Sequence, residues 1–283
     1  MKTIAIYHKD CTDGTSAAAV VLKKFSDALL FPLSHGFEPH ELEPILSSAQ
    51  VGDSIYMVDC ALGVQEFLQA GHKVTIIDHH AGIEAEMTSL AKQNKNVTYI
   101  FDNSKSGASL CWSYFFPKEK IPEIIKLVED ADIWKWEFGN DTKYVGAFLY
   151  LLTNKPHEVL GLFDSPLEPI KEAGKAITAY TDYVVDSAVA KTEPIYLHIG
   201  NHKVPFYNIT TLKSESGNKL SVARGEPVAL FSIDGNKVKI SFRSTDGQKT
   251  TALMLAQELG GGGHKNAAGA GMPLERFIAS IAK

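Results

Sequence analysis

Four apolar, β-branched runs in the first part of the chain, TIAIYH (3–8), SIYMVD (54–59), KVTIID (73–78) and VTYIFD (97–102), each close on a histidine or an aspartate. Runs this short and this rich in isoleucine and valine read as strands buried on both faces. Helical patterns at 15–25, 63–71, 84–93 and 106–116 fall between or after them. Parallel strands need a crossover that a helix supplies, so the alternation predicts an α/β fold with a mostly parallel, doubly wound sheet. In such open sheets ligand sites form beyond the carboxyl ends of the strands. His8, Asp59, Asp78 and Asp102 are therefore expected along one edge.

The pattern then turns helical, from IPEIIKLVEDADIWKW to about residue 190, and strand patterns resume at TEPIYLHIGNHKVPFYNI. A hairpin, VALFSIDGNKVKISFRS, is expected to turn at Asp234, Gly235 and Asn236. The helix TALMLAQELG follows, then the run GGGGHKNAAGAG, whose AAGAG reads as a tightly packed helix start, and a last short helix. This gives three parts: a metal-binding catalytic domain over 1–165, a helical connector over 166–192, and a smaller α/β domain over 193–283 that binds substrate.

At 283 residues, 45% hydrophobic and 22% charged, the chain is long enough for a large core and for two domains. No apolar run approaches the roughly 18 residues that span a bilayer, and no basic segment followed by a signal-type stretch opens the chain, so the cytoplasm is the expected location. Cys11, Cys60 and Cys111 are odd in number and lack zinc-finger spacing, which fits buried thiols in a reducing compartment. Charge is uneven. Residues 191–283 hold 12 Lys and Arg against 7 Asp and Glu, and residues 1–190 hold 16 against 26. An acidic part suited to cations precedes a basic part suited to an anion.

HKDCTDG (8–14) packs His8, Asp10, Cys11 and Asp13 directly after the first strand. Alone, it also reads as a polar loop with Asp13 as the N-cap of the next helix. IIDHHAG is sharper: after a buried strand it offers one imidazole for a metal, one for a substrate, and a carboxylate that orients an imidazole through its other N–H. Asp59 in VDCA stands at a strand tip as a metal bridge. With an aspartate of EDADIW, these residues supply only oxygen and nitrogen ligands, which favours Mn²⁺ and, second, Mg²⁺. Aspartates crowded this closely repel one another unless cations intervene.

Together these segments resemble the DHH family of phosphoesterases, to which RecJ and nanoRNase-like enzymes belong. HKDCTDG resembles its first motif, VDCA its second, DHH its third and EDADIW its fourth, while SFRS and GGGGHKNAAG resemble the DHH-associated C-terminal domain. The resemblance implies two Mn²⁺ ions held by His8, Asp10, Asp13, Asp59, His79 and an aspartate of motif four. Asp130 and Asp132 both fit there, and the spacing to Trp134 favours Asp130. It implies catalytic roles for Asp59, Asp78 and His80, with His80 touching the scissile phosphate. It also implies that Arg243, Ser244, Gly261, Gly262, Gly263 and His264 bind substrate. Cys11 is expected to point to the sheet.

The expected activity is hydrolysis of phosphodiester bonds in short oligonucleotides or cyclic dinucleotides by two-metal-activated water. The alternatives are a nucleotide sensor without turnover and a polyphosphate or bisphosphate phosphatase. Neither a membrane nor long duplex nucleic acid is an expected partner, since no basic patch interleaved with aromatics is present. The sequence is compatible with a homodimer and does not fix the oligomeric state.

Overall fold

The computed structural model describes residues 1–281. Two compact units, Met1–Thr178 and Ala179–Lys283, divide within one long helix.

The first unit is built on five parallel strands: β1 (Thr3–His8), β2 (Leu29–Leu33), β3 (Ser54–Val58), β4 (Lys73–Asp78) and β5 (Val97–Phe101), in the order β2-β1-β3-β4-β5. Side chains alternate across a strand, and both faces are apolar. Ile4 and Ile6 of β1 enter one cluster with Ile55, Met57, Val74 and Ile76, whereas Ala5 and Tyr7 enter another with Val58 and Ile77. Helices cover each face. Helix α1 (Thr12–Lys24) lies on the Ala5 side, and α2 (Pro39–Ser48), α3 (Val64–Gln69) and α4 (Glu84–Gln93) supply Leu42, Ile45, Phe67 and Met87 to the Ile4 side.

After β5 the chain is helical: α5 (Gly107–Phe115), α6 (Glu123–Asp132), α7 (Asn140–Tyr150), α8 (Pro156–Leu160) and α9 (Leu167–Lys191). The strand β2 is absent from the sequence expectation because LLFPL carries a proline. At a sheet edge Pro32 removes no ladder bond, so the strand forms there. Likewise α2 starts with Pro39 in its first turn, where proline is tolerated, behind a Glu38–Glu41 capping box.

The second unit is a six-stranded sheet of β6 (Ile195–Ile199), β7 (His202–Tyr207), β8 (Val228–Asp234), β9 (Lys237–Arg243), β10 (Gly262–His264) and β11 (Ala267–Pro273), ordered β10-β11-β9-β8-β7-β6. All its pairs are antiparallel except β7 with β8. The hairpin between β8 and β9 turns at Gly235 and Asn236, with Asp234 opposite Lys237. Helices α10 (Lys213–Arg224), α11 (Ala252–Gln257) and α12 (Leu274–Ile281) complete it. The expected helix start at AAGAG is instead strand β11. Its small residues let Gly261 and Gly263 pass close by, where a β-carbon would stand 2.1 Å from the Gly269 oxygen and 2.7 Å from the Ala267 oxygen.

Candidate metal centre

The carboxyl edge of the first sheet gathers the ionisable groups. His8 ends β1. Past the end of β3, the Asp59 amide donates to the Ile77 oxygen at 2.9 Å, and the backbone then turns left-handed at φ 57°. Aspartate is among the few non-glycine residues enriched in that conformation. At the end of β4, Asp78 Oδ1 accepts the His79 amide (2.8 Å), the His80 amide (3.3 Å) and His80 Nδ1–H (2.6 Å). One oxygen thus sets the turn of the DHH segment and the His80 tautomer.

Two glycines permit the close packing. A β-carbon on Gly14 would lie 2.4 Å from the His8 oxygen, so only glycine lets α1 begin so near β1. On Gly107, the first residue of α5, it would lie 2.6 Å from Asp59 Cβ. Asp13, in the first turn of α1, accepts the amides of Gly107 (2.6 Å) and Ala108 (3.0 Å), which are orphan donors at the start of α5. The helix cap of α1 is Cys11 rather than Asp13.

His79 Nε2 stands 3.2 Å from Asp59 Oδ1, 3.2 Å from Asp132 Oδ2 and 3.8 Å from Asp13 Oδ2. His8 Nδ1 is 3.5 Å from Asp59 Oδ2. Ligand atoms within 4.8 Å of one another form three overlapping groups: Asp13 with His79 and Asp132; His8 with Cys11 and Asp59; and Asp59 with Asp78, His79 and His80. Asp59 is 1% exposed, yet neither of its oxygens accepts a directed hydrogen bond, and His8 Nδ1 also lacks one. Buried carboxylates are ordinarily hydrogen-bonded or bound to a cation. The donor set and these orphaned atoms fit divalent metal ions.

Burial, reinforced by the charges of Asp59 and Asp132, raises the Asp13 carboxyl, and burial with Asp59 pushes Asp132 up to about 6. Burial opposes charge on His79, but Asp59, Asp13 and Asp132 outweigh it and push His79 up to about 10. Burial also works against ionised Asp59, yet the His79 and His8 imidazoles hold it well below the carboxylate range. Without cations the edge therefore keeps protons as its positive charge.

The folded values of Asp132 and His79 lie above their ordinary 3.8 and 6.5. The stability these protons give is complete below the ordinary values, and it is lost as pH rises through about 6 for Asp132 and about 10 for His79. Ion binding displaces the same protons. The rise in Tm on adding Mn²⁺ to chelator-treated protein is therefore expected to be larger near pH 8 than near pH 5. Equal rises in differential scanning fluorimetry would contradict this account.

Three expected acids stand outside the cluster. Asp10 is exposed, and its carboxylate accepts Asn154 Nδ2–H at 2.5 Å while its amide donates to Asn154 Oδ1 at 3.0 Å. Two residues, Cys11 and Thr12, separate Asp10 from the Asp13–Gly14 pair, and its backbone is left-handed at φ 57°. Asp130, favoured over Asp132 from sequence, is instead the brace of the loop after α6: it accepts the amides of Glu137 (2.8 Å) and Phe138 (3.2 Å) and the Thr142 hydroxyl. Asp132, two positions on, joins the cluster. Asp102 holds its own turn through the Ser104 amide and hydroxyl.

From the sequence one member, Cys11, is expected to point to the sheet, and another, His35, is not read. The Cys11 sulfur faces His8 and Asp59 rather than the sheet. His35, beyond the overlooked strand β2, sets its ring edge-on to His8 at 4.8 Å and lies 6.1 Å from His80. The signal for Gly107 was the small-residue start SKSGAS, with Ser106 capping α5 through the Ser109 amide.

In the second unit, Arg243 ends β9 and donates to the Phe242 oxygen and Ser214 Oγ, both at 2.8 Å. Ser244 is buried and accepts the Ala252 amide at 2.9 Å, which ties β9 to the start of α11. Gly262, Gly263 and His264 are exposed on β10, and Gly261 beside it is half-buried.

Residues 213–283 match the DHHA1 domain. RecJ of Thermus thermophilus in complex with Mn²⁺ aligns over 99% of this chain and 51% of its own, at 18% identity and a TM-score of 0.56. The chain shares the fold of RecJ. A pGpG-specific phosphodiesterase, PggH of Vibrio cholerae, shares the fold over 99% of this chain and 96% of its own, at 12% identity and a TM-score of 0.54. An uncharacterized protein, R106, of Acanthamoeba polyphaga mimivirus is 22% identical over 94% of this chain, which spans 66% of that relative's length. Among the described residues no helix is long and apolar enough to cross a membrane.

Proposed function

We propose that the protein is a divalent-metal-dependent phosphoesterase, with Mn²⁺ as its preferred ion, which hydrolyses the phosphodiester of a small nucleotide substrate. The observation that carries this is Asp59: a buried carboxylate without directed hydrogen bonds, shared between a cluster on its His8 side and one on its His79 side. The fold is that of proteins described as an exonuclease and a pGpG-specific phosphodiesterase, which supports the reading. Two ions bound at such a site supply Lewis-acid polarisation of the phosphate and activation of water. The chain's own residues do the rest. Asp78 fixes His80 by its Nδ1–H, which leaves Nε2 for proton exchange with a substrate oxygen, and His79, Asp13 and Asp132 would hold one of the ions. Arg243 and His264 are assigned anion contacts within the second unit.

A nucleobase, rather than polyphosphate, is favoured by the loop after Asp132. Trp134 and Trp136 are 61% and 37% exposed, with ring centroids 5.1 Å apart. Both adopt positive φ, 61° and 57°, which is costly for bulky residues and persists where surrounding structure enforces it. Asp130 does so: besides the carboxylate contacts, its carbonyl accepts the Lys135 and Trp136 amides. Two peptide units separate Trp134 from the ligand Asp132, at most about 7.6 Å of chain. Stacking a base on tryptophan contributes about 1–3 kcal/mol. Trp134→Ala and Trp136→Ala are each expected to raise KM for a dinucleotide about tenfold or more, with little change for a phosphodiester lacking bases.

The reading is tested by chelator-treated protein supplied with Mn²⁺ and assayed against short RNA, cyclic dinucleotides, adenosine bisphosphate and polyphosphate. Turnover of the first two classes, abolished by chelator, is the expected result. Undiminished turnover in chelator would sink it, and tight binding without turnover would favour the sensor.

A further inference from the structure

Cys11 is the member of the cluster whose chemistry the proposed reaction leaves unused. Its carbonyl accepts the Thr15 amide at 3.0 Å and the Thr15 hydroxyl at 2.7 Å, so the first turn of α1 fixes where its side chain leaves the backbone. The sulfur lies within 4.8 Å of a His8 ring nitrogen and an Asp59 oxygen. Two of these partners carry unsatisfied atoms: His8 Nδ1, and both oxygens of the almost fully buried Asp59. A nitrogen, a sulfur and an oxygen thus converge on one side of Asp59, while Asp13, His79 and Asp132 gather on the other.

We infer that the edge holds two chemically unlike metal sites sharing Asp59: a hard one of Asp13, His79 and Asp132, and a softer one in which the Cys11 thiolate and His8 are ligands. The inference rests on the proposed metal-dependent reading and adds which ion sits where. Carboxylate-rich sites suit Mn²⁺ and Mg²⁺, whereas a thiolate draws Zn²⁺, Fe²⁺ or Co²⁺. As the metal–sulfur bond forms, the S–H bond breaks and its proton passes to solvent, so the softer site takes its ion with release of one proton from Cys11. In the absence of an ion, burial and the neighbouring Asp59, Asp13 and Asp132 charges keep the thiol protonated. A half-soft pair differs from the all-oxygen and nitrogen set expected from sequence, and it makes the resident metals a heteronuclear pair.

The test uses the full chain, stripped with chelator and titrated with Co²⁺ under anaerobic conditions. A near-ultraviolet sulfur-to-cobalt charge-transfer band is expected, saturating at one thiolate–cobalt bond per chain while equilibrium dialysis counts two bound ions. Cys11→Ser should remove the band. Serine is a good helix cap at this position, so the fold should survive. Cys11→Asp should keep two ions without the band and lower the preference for Zn²⁺ over Mn²⁺ by about 10–100-fold. Two bound ions without the band, or a band that persists in Cys11→Ser, would overturn the softer site while leaving the metal-dependent reading intact. Failure to bind Co²⁺, Mn²⁺ or Zn²⁺ at all would overturn both.

Discussion

Asp59→Asn is expected to lower turnover about a thousandfold or more while the chain remains folded. Asparagine is the informative replacement because the site demands φ 57°, which asparagine tolerates and alanine does not. The change keeps the side chain's size beside Gly107, where no added atom would fit, and removes only the charge. Lewis-acid stabilisation of the transition state is worth several kcal/mol, and each 1.36 kcal/mol is about tenfold in rate, so losing the shared ligand reaches that scale. Steady-state kinetics with circular dichroism on the same preparation measures both halves. Wild-type kcat in a folded, metal-containing Asp59→Asn variant would remove Asp59 from the chemistry.

The two aspartates of EDADIW should part company. Asp132→Asn is expected to weaken metal binding and cut kcat about a hundredfold or more, with the Tm of the metal-free chain little changed, because the side chain's close contact is His79 and it is itself pushed up to about 6 in the metal-free chain. Asp130→Asn should do the reverse. Its carboxylate takes two amides and the Thr142 hydroxyl, and hydrogen bonds to a charged group each contribute about 1.5–3 kcal/mol, so Tm should fall clearly. Residual activity would then reflect displacement of the tryptophan loop. Metal titration calorimetry and thermal melts on both variants decide it, and equal effects would mean that the two roles are not separated.

The sheet was legible because buried parallel strands write themselves as apolar runs, and their terminal His8, Asp59 and Asp78 stand where those runs stop. What the runs could not carry was direction. A strand end reports that a side chain lies at the edge, but not whether it turns inward: Asp102 sits at an equivalent end and closes on Ser104. Within EDADIW, two acids on one helix end are separated only by the loop that follows, and the brace at Asp130 depends on Thr142, twelve residues away. His35 lay hidden because its strand contains Pro32, and Cys11 because its orientation follows from the helix start at Thr12. In the second unit the glycine run was read for its approach to a ligand, whereas Gly261 and Gly263 first serve approach to their neighbouring strand.

The grip of Asp13 on the first amides of α5 joins positions 94 and 95 residues apart. No short stretch of the chain can reproduce it, and the other members of the cluster come from β1, β3, β4 and the end of α6. On the proposed metal-dependent reading, an unfolded or nicked chain offers cations only scattered weak donors, and whatever free energy they contribute accrues to the native state alone. The persistence of the folded molecule, and with it resistance to proteolysis, is then expected to rise and fall with the local supply of divalent ions.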